Sequence, residues 1–246
     1  MSISGREFNW RKPFGPLIVQ STISDELHEI LLTVGNRIRS KKSKEDYDYR
    51  ERLAGNLSEE YGYGYDRKII KDGKTADLKI AFSKKQFHIV EEELRWLAAS
   101  YTRICYEQKN TDSKKDIWKP EELKIAHPLW INYMKQGEWN PVHNHTGLLF
   151  CVIYLQVPPE ISEENDKRFG TESSKKTNTP SAGKIEFSFG SHIDFGKSGV
   201  MFTPKEKQIF LFPAKLNHHV YPFKSNVERI SVSCNFEGIT RKKRYA

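Results

Sequence analysis

The stretch "NPVHNHTG", residues 140 to 147, holds two histidines, His143 and His145, one residue apart. Neutral imidazole is the commonest protein ligand for divalent transition metals. Side chains two apart on a strand point the same way, so on a strand these two rings project together. A metal site needs a third, converging ligand. Its C-terminal candidates are His218 and His219 in "FPAKLNHHVYP". Adjacent strand residues face opposite sides, so at most one of that pair joins the site. The plainer alternative, imidazoles on ordinary strands, stays open on this pattern alone. His28, His88 and His127 read as surface or structural residues. A rival pair sits in "GSHIDFG", where His192 and Asp194 offer an imidazole and a carboxylate two apart. That pair ranks second, because it lies in a Gly-flanked, turn-like segment only 26 residues before His218.

The surrounding elements must position these groups. From about Lys124 the apolar period turns strand-like: "HPLWINYM", "LLFCVIYLQV", "GKIEFSF", "GVMFTP", "KQIFLFP" and "ERISVSCNF" are short β-rich runs, most of them bounded by Gly, Pro or charge. Many short strands without intervening helices predict a barrel or a double-sheet jelly roll. Upstream, Ser24 and Asp25 are cap candidates for a helix whose stripe is Leu27, Ile30, Leu31 and Val34. A second, longer helix carries Phe87, Val90, Leu94, Leu97, Ala98 and Tyr101 on one face. The expected fold class is therefore mainly β with flanking helices. It would be a single domain over 1–246, with a helical and loop part over 1–123 packed on a jelly-roll core over 124–240. The polar segment 160–182 reads as a long mobile loop, a lid or a disordered stretch.

Composition narrows the class. The 246 residues include 14 Phe, 11 Tyr and 5 Trp, enough bulky material for an enzyme-sized core. The longest apolar run, Leu148 to Leu155, is far below the roughly 18 residues of a membrane span. The N-terminus has no apolar run of the secretory type. Three cysteines, Cys105, Cys151 and Cys234, lack metal-type spacing and point to a reducing, cytoplasmic setting. The net charge of +8 raises nucleic acid as a partner. The basic residues are nevertheless interleaved with acids, and only the tail "RKKRYA" is a pure cluster, so a solvated surface is the favoured reading.

Order and spacing then bring in a resemblance. Asn132 stands eleven residues before His143 and Gly137 six before it, in "WINYMKQGEWNPVHNH". Farther on come a Phe-Pro and an H-x-V-x-P register that selects His218 over His219. Eleven residues after His218, "RIS" supplies Arg229 and Ser231. This run resembles the 2-oxoglutarate/Fe(II)-dependent oxygenases, and is especially similar to a bacterial and phage group of them that also carries "RLAG", here Arg52 to Gly55. The resemblance covers most of the chain and is strongest from Trp130 to Phe236. It implies a double-stranded β-helix (jelly roll), Fe(II) as cofactor, 2-oxoglutarate and O2 as co-substrates, and hydroxylation of an unactivated C–H bond. It also implies Arg229 and Ser231 as anchors of the co-substrate's far carboxylate, with Asn132 assisting. A guanidinium suits that task, being a planar fork of permanent charge. Alternation on "RISVSCNF" puts Arg229, Ser231, Ser233 and Asn235 on one face and Ile230, Val232, Cys234 and Phe236 on the other.

One departure stands out: the family's acidic iron ligand falls at position 145, which is histidine here. Three ligand sets follow, in order of preference: His143, His145 and His218; a set in which Asp194 swings in; or a set completed by an exogenous anion. The substrate is unknown, with a peptide or amino-acid side chain favoured through the prolyl-hydroxylase-like H-x-V-x-P element. The rival functions are a three-histidine dioxygenase independent of 2-oxoglutarate, a nucleic-acid-modifying oxygenase, and a non-catalytic jelly-roll binding module.

Overall fold

A computed structural model describes residues 7–11, 15–65, 79–108, 114–166, 180–191 and 197–239. In chain order the elements begin with β1 (Asn9–Arg11), β2 (Ile18–Thr22), α1 (Asp25–Arg39), β3 (Glu60–Gly62), β4 (Gly64–Tyr65), β5 (Lys79–Ile80) and α2 (Lys84–Glu107). There follow β6 (Leu123–Met134), β7 (Asn140–His143), β8 (Leu149–Gln156), α3 (Pro159–Asn165), β9 (Ile185–Ser188), β10 (Gly199–Phe202), β11 (Gln208–Pro213), β12 (Asn217–Val220) and β13 (Arg229–Gly238). A seven-stranded sheet in the order β1-β2-β11-β8-β13-β6-β3 faces a four-stranded sheet, β10-β9-β12-β7. All the pairings are antiparallel. This is the jelly roll that the pattern of short strands predicts.

Period-two alternation divides the central strands between two cores. On β8 and β13, Cys151, Ile153, Leu155, Ile230, Val232, Cys234 and Phe236 join one cluster with Leu27, Leu31 and Val34 of α1 and Val90, Leu94 and Leu97 of α2. The opposite β8 face, Phe150, Val152 and Tyr154, meets Phe187, Phe210 and Phe212 between the sheets. An all-apolar run such as "LFCVIYL" results because both faces of β8 are covered.

Both predicted helices form. Ser24 caps α1 by accepting the amide of Leu27, and Ser83 and Gln86 close a capping box on α2. Ser24 also ties the two helices together: its amide and hydroxyl both donate to the Glu93 carboxylate.

Two expectations are corrected. The N-terminal part is not only helix and loop. β2 extends the large sheet beside β11, and β3 pairs with β6 at the other edge. Segment 160–182 is not one long loop either. It opens within α3, which starts on Pro159, buries Ile161 between the sheets, and lets Glu164 accept the amides of Lys224 and Ser225. Residues 167–179, His192, Asp194 and the basic tail lie outside the described residues. No described helix is long and apolar enough to cross a membrane.

Replacing Ser24 with Ala removes the cap and one partner of the buried Glu93 carboxylate. It should lower the unfolding free energy by about 1–2 kcal/mol. The expected readout is a lower urea midpoint at an unchanged m value; an unmoved midpoint would show that the junction contributes nothing.

Candidate metal and co-substrate site

The two sheets open on one side into a pocket with about 560 Å³ of space between atoms, part of it open to solvent. The small sheet contributes Asn140, His143, Ile185, His218 and Val220 to its wall, and the large sheet contributes Trp130, Asn132, Phe150, Val152, Tyr154, Arg229, Ser231 and Ser233. The loop carrying "RLAG" closes the pocket with Leu53, Ala54 and Gly55. Its glycine packs closely: a Cβ there would come within 2.6 Å of Asn140 Oδ1 and 3.1 Å of Glu60 Oε1, so those side chains would have to shift.

His143 and His218 are direct cross-strand partners on β7 and β12, with ring centroids 4.3 Å apart. The sequence expectation that His145 shares a strand face with His143 is not how the site is built. β7 ends at His143, and His145 lies beyond it. Its amide donates to Ala214 O at 2.8 Å, and its ring stacks flat on Phe150 at 3.6 Å. Gly147, at φ +98°, then turns the chain into β8, and a Cβ at that position would sit 2.8 Å from Phe236 O. One candidate ligand atom from each of His143, His145 and His218 lies within 4.8 Å of the others. His219 faces away, toward Glu186.

The chemistry of this trio fits a divalent ion. His143 Nδ1 lies 2.7 Å from Pro141 O, and His218 Nδ1 lies 3.0 Å from Leu216 O. A carbonyl can only accept, so each Nδ1 carries the proton and each Nε2 keeps a free lone pair. His145 Nε2 and His218 Nε2 are 3.3 Å apart. Two nitrogen ligands about 2.1 Å from one ion and at right angles stand about 3 Å apart, close to that spacing. Burial, helped by the neighbouring rings, pushes His145 down to about 2 and His218 down to about 3. Burial also lowers His143. The rings are therefore neutral, the form that ligates.

Across the pocket Arg229 is 2% exposed, and no carboxylate pairs with it among the described residues. It donates to Gly183 O and to Met134 Sδ, both at 2.8 Å, and its Nε has no partner. Tyr154 OH and Asn132 Oδ1 are also buried and unpartnered. The guanidinium lies 5.4 Å from the Tyr154 ring centre. Burial lowers the Arg229 pKa from its ordinary value. A buried charge without a counter-ion is costly, so this wall is built to receive an anion. A carboxylate would answer the unpartnered donor on this wall.

Of the residues singled out from sequence, the pocket gathers His143, His145, His218, Asn132, Arg229 and Ser231. Ser233 also faces it, whereas Asn235 does not line it; a register shift falls between the two on β13. Sequence reasoning missed Tyr154, although alternation along "LFCVIYL" groups it with Phe150 and Val152. It also missed Glu60, a lone acid in a segment whose period could not be assigned.

The fold and site define a jelly roll with a candidate metal centre between its sheets. Residues 128–235, the strands that carry it, match the family described as "Putative 2OG-Fe(II) oxygenase". The match covers the jelly-roll core, and the family it describes uses Fe(II), 2-oxoglutarate and O2. No curated protein matches the chain. Among solved structures, AviO1 from Streptomyces viridochromogenes Tue57 is 12% identical at a TM-score of 0.51, over 94% of this chain and 93% of that one. EvdMO1 is 13% identical at 0.53, over 93% of this chain and 48% of its own. A Pseudomonas putida prolyl-4-hydroxylase is 13% identical at 0.44, over 90% and 92%. At such identities AviO1 and EvdMO1 establish a shared fold and nothing about substrate.

The depressed histidines predict how the metal-free protein behaves in acid. The unfolded chain takes up these protons near pH 6.5, while the folded chain resists them to much lower pH. Their contribution to stability is complete above about pH 6.5 and is lost as pH falls below it. The melting temperature should therefore drop between about pH 6.5 and 5.5, above the ordinary carboxylate range, and a divalent metal should offset the drop. A flat melting temperature across that window would contradict this account.

Proposed function

We propose that His143, His145 and His218 hold Fe(II), and that Arg229 and Ser231, assisted by Asn132, anchor the far carboxylate of 2-oxoglutarate. The reaction we assign is hydroxylation of an unactivated C–H bond. One observation carries this reading: three convergent imidazoles and a buried guanidinium with no carboxylate partner among the described residues open on the same pocket. The bound iron would activate O2 with electrons from oxidative decarboxylation of 2-oxoglutarate, yielding succinate and CO2.

The chain's own residues bind, orient and keep water out. Pro141 O and Leu216 O hold two rings in the ligating tautomer. Phe150 fixes the plane of the third, which the sequence alone left in competition with Asp194 or an anion. Arg229 offers a planar fork that no point charge reproduces. Trp130, Phe150, Val152 and Ile185 make the wall apolar, which strengthens each polar contact inside it. A peptide or amino-acid side chain is the favoured substrate, on the strength of the H-x-V-x-P element around His218. Three buried, unbridged cysteines support a reducing, cytoplasmic setting.

The decisive assay is anaerobic loading with Fe(II) and 2-oxoglutarate, then exposure to O2 and measurement of succinate. Arg229→Ala should raise the Kd for 2-oxoglutarate by about 30-fold or more while iron binding survives. Arg229→Lys should fall between, since it keeps the charge and loses the fork. Unchanged co-substrate affinity in Arg229→Ala would refute the anchor. O2 consumption without succinate would instead favour the three-histidine, 2-oxoglutarate-independent dioxygenase, a reaction in which Arg229 has no evident task.

A further inference from the structure

The mouth of this pocket holds a second unanswered group. Glu59 and Glu60 are consecutive on the way into β3, and adjacent strand residues face opposite ways. Glu59 turns outward, where it accepts from Arg39, Lys135 and Tyr61. Glu60 turns inward, is 2% exposed and lines the pocket. Its Oε2 has no hydrogen-bond partner. Glu60 is the one carboxyl among the described residues that form the pocket wall.

Its surroundings define what would answer it. Register places Glu60 opposite Asn132 and Gly62 opposite Trp130, so the acid and the indole are diagonal neighbours. Leu53 and Leu57 line the same pocket. A carboxyl, an indole and two leucines offer a charge, an aromatic face and an apolar channel, the combination that takes an ammonium on an alkyl stem. Arg229 cannot be the answering cation, since its described contacts are Gly183 O and Met134 Sδ.

We infer that Glu60 is a specificity-determining residue that receives a protonated amine on an aliphatic chain, so that the substrate of the oxygenase site is a lysine-like alkylammonium. The inference rests on the oxygenase reading for the chemistry but not for the binding. Burial, with Glu138 and Asp48 adding to it and Arg50 opposing, pushes the empty Glu60 up to about 8. An arriving ammonium must therefore displace a proton at neutral pH, and its affinity should rise as the solution becomes more alkaline.

The test titrates the full chain with N-acetyl-lysine methylamide and with its uncharged counterpart, N-acetyl-norleucine methylamide, followed by NMR. The wild type should bind the lysine probe about tenfold tighter or better, a difference of 1.4 kcal/mol. Glu60→Gln should erase that preference while shifting 2-oxoglutarate affinity less than about threefold, about 0.7 kcal/mol. The preference should also grow through about pH 8 in the wild type, a readout that stands even if the variant fails to fold. Equal binding of the two probes, a preference that survives Glu60→Gln, or one that ignores pH would each overturn the inference. A lysine preference in a chain that binds neither metal nor 2-oxoglutarate would uphold it and sink the oxygenase assignment instead.

Discussion

A guanidinium buried with no carboxylate partner among the described residues is the constraint on which the rest of this structure turns. Arg229 begins β13, an interior strand of the large sheet, between β8 and β6. Its head group reaches Gly183 O and Met134 Sδ and leaves Nε unanswered. Such a charge is strongly unfavourable in isolation, and the fold tolerates it by surrounding it with heavy reinforcement. Just outside the pocket, Arg39 of α1 clasps both Glu59 and Glu228, the residue immediately before Arg229. The helix layer thereby fixes the start of the strand that holds the buried charge. Stability located in the exterior network supports a polar arrangement inside that would not stabilise the fold by itself.

Alternation makes this separation possible. Alternate residues of β13 and β8 join the core beneath α1 and α2, and between them Phe150, Val152, Tyr154, Arg229, Ser231 and Ser233 face the pocket. One strand thus serves both the core and the site, with no loop needed to bring Arg229, Ser231 and Tyr154 together. Groups carried on a covered sheet are held more tightly than groups on loops. His145 is the exception, lying past the end of β7, and it has the compensations an irregular position requires: a backbone anchor at Ala214 and a flat stack on Phe150.

How much of this was legible in the sequence follows the same division. The β13 faces could be read directly, because strict alternation survives wherever one face is polar and the other apolar. The two helices were legible through their stripes and caps. β2 and β3 were not, since "IVQST" and "EYG" are too short to display a period and are fixed by pairing with β11 and β6. α3 was hidden by its polar composition; its place comes from Ile161 inserted between the sheets and Glu164 bound to the backbone at Lys224. The meeting of His143 with His145 and His218 was anticipated, but by the wrong geometry for His145. Glu60 left no trace in composition. Its significance comes from which way one residue of an edge strand points, a matter of register and not of residue type.

Burial also sets the protonation of the whole site through a single cause with opposite consequences. Removing water disfavours charge, so it strips protons from imidazoles and returns them to carboxyls. His143, His145 and His218 become neutral imidazoles, and Glu60 becomes a neutral acid. Arg229 is pushed in the same direction, but its ordinary value is so high that it stays charged. The side chains of the pocket are consequently cationic in sum at neutral pH, although three of its four basic side chains carry no charge. That polarity favours an anion beside Arg229. Once a dicarboxylate has answered Arg229, the reason for Glu60 to hold its proton weakens only where a second cation approaches. Desolvation therefore imposes an order on the site: the anion has its partner waiting, whereas a cation must create its own.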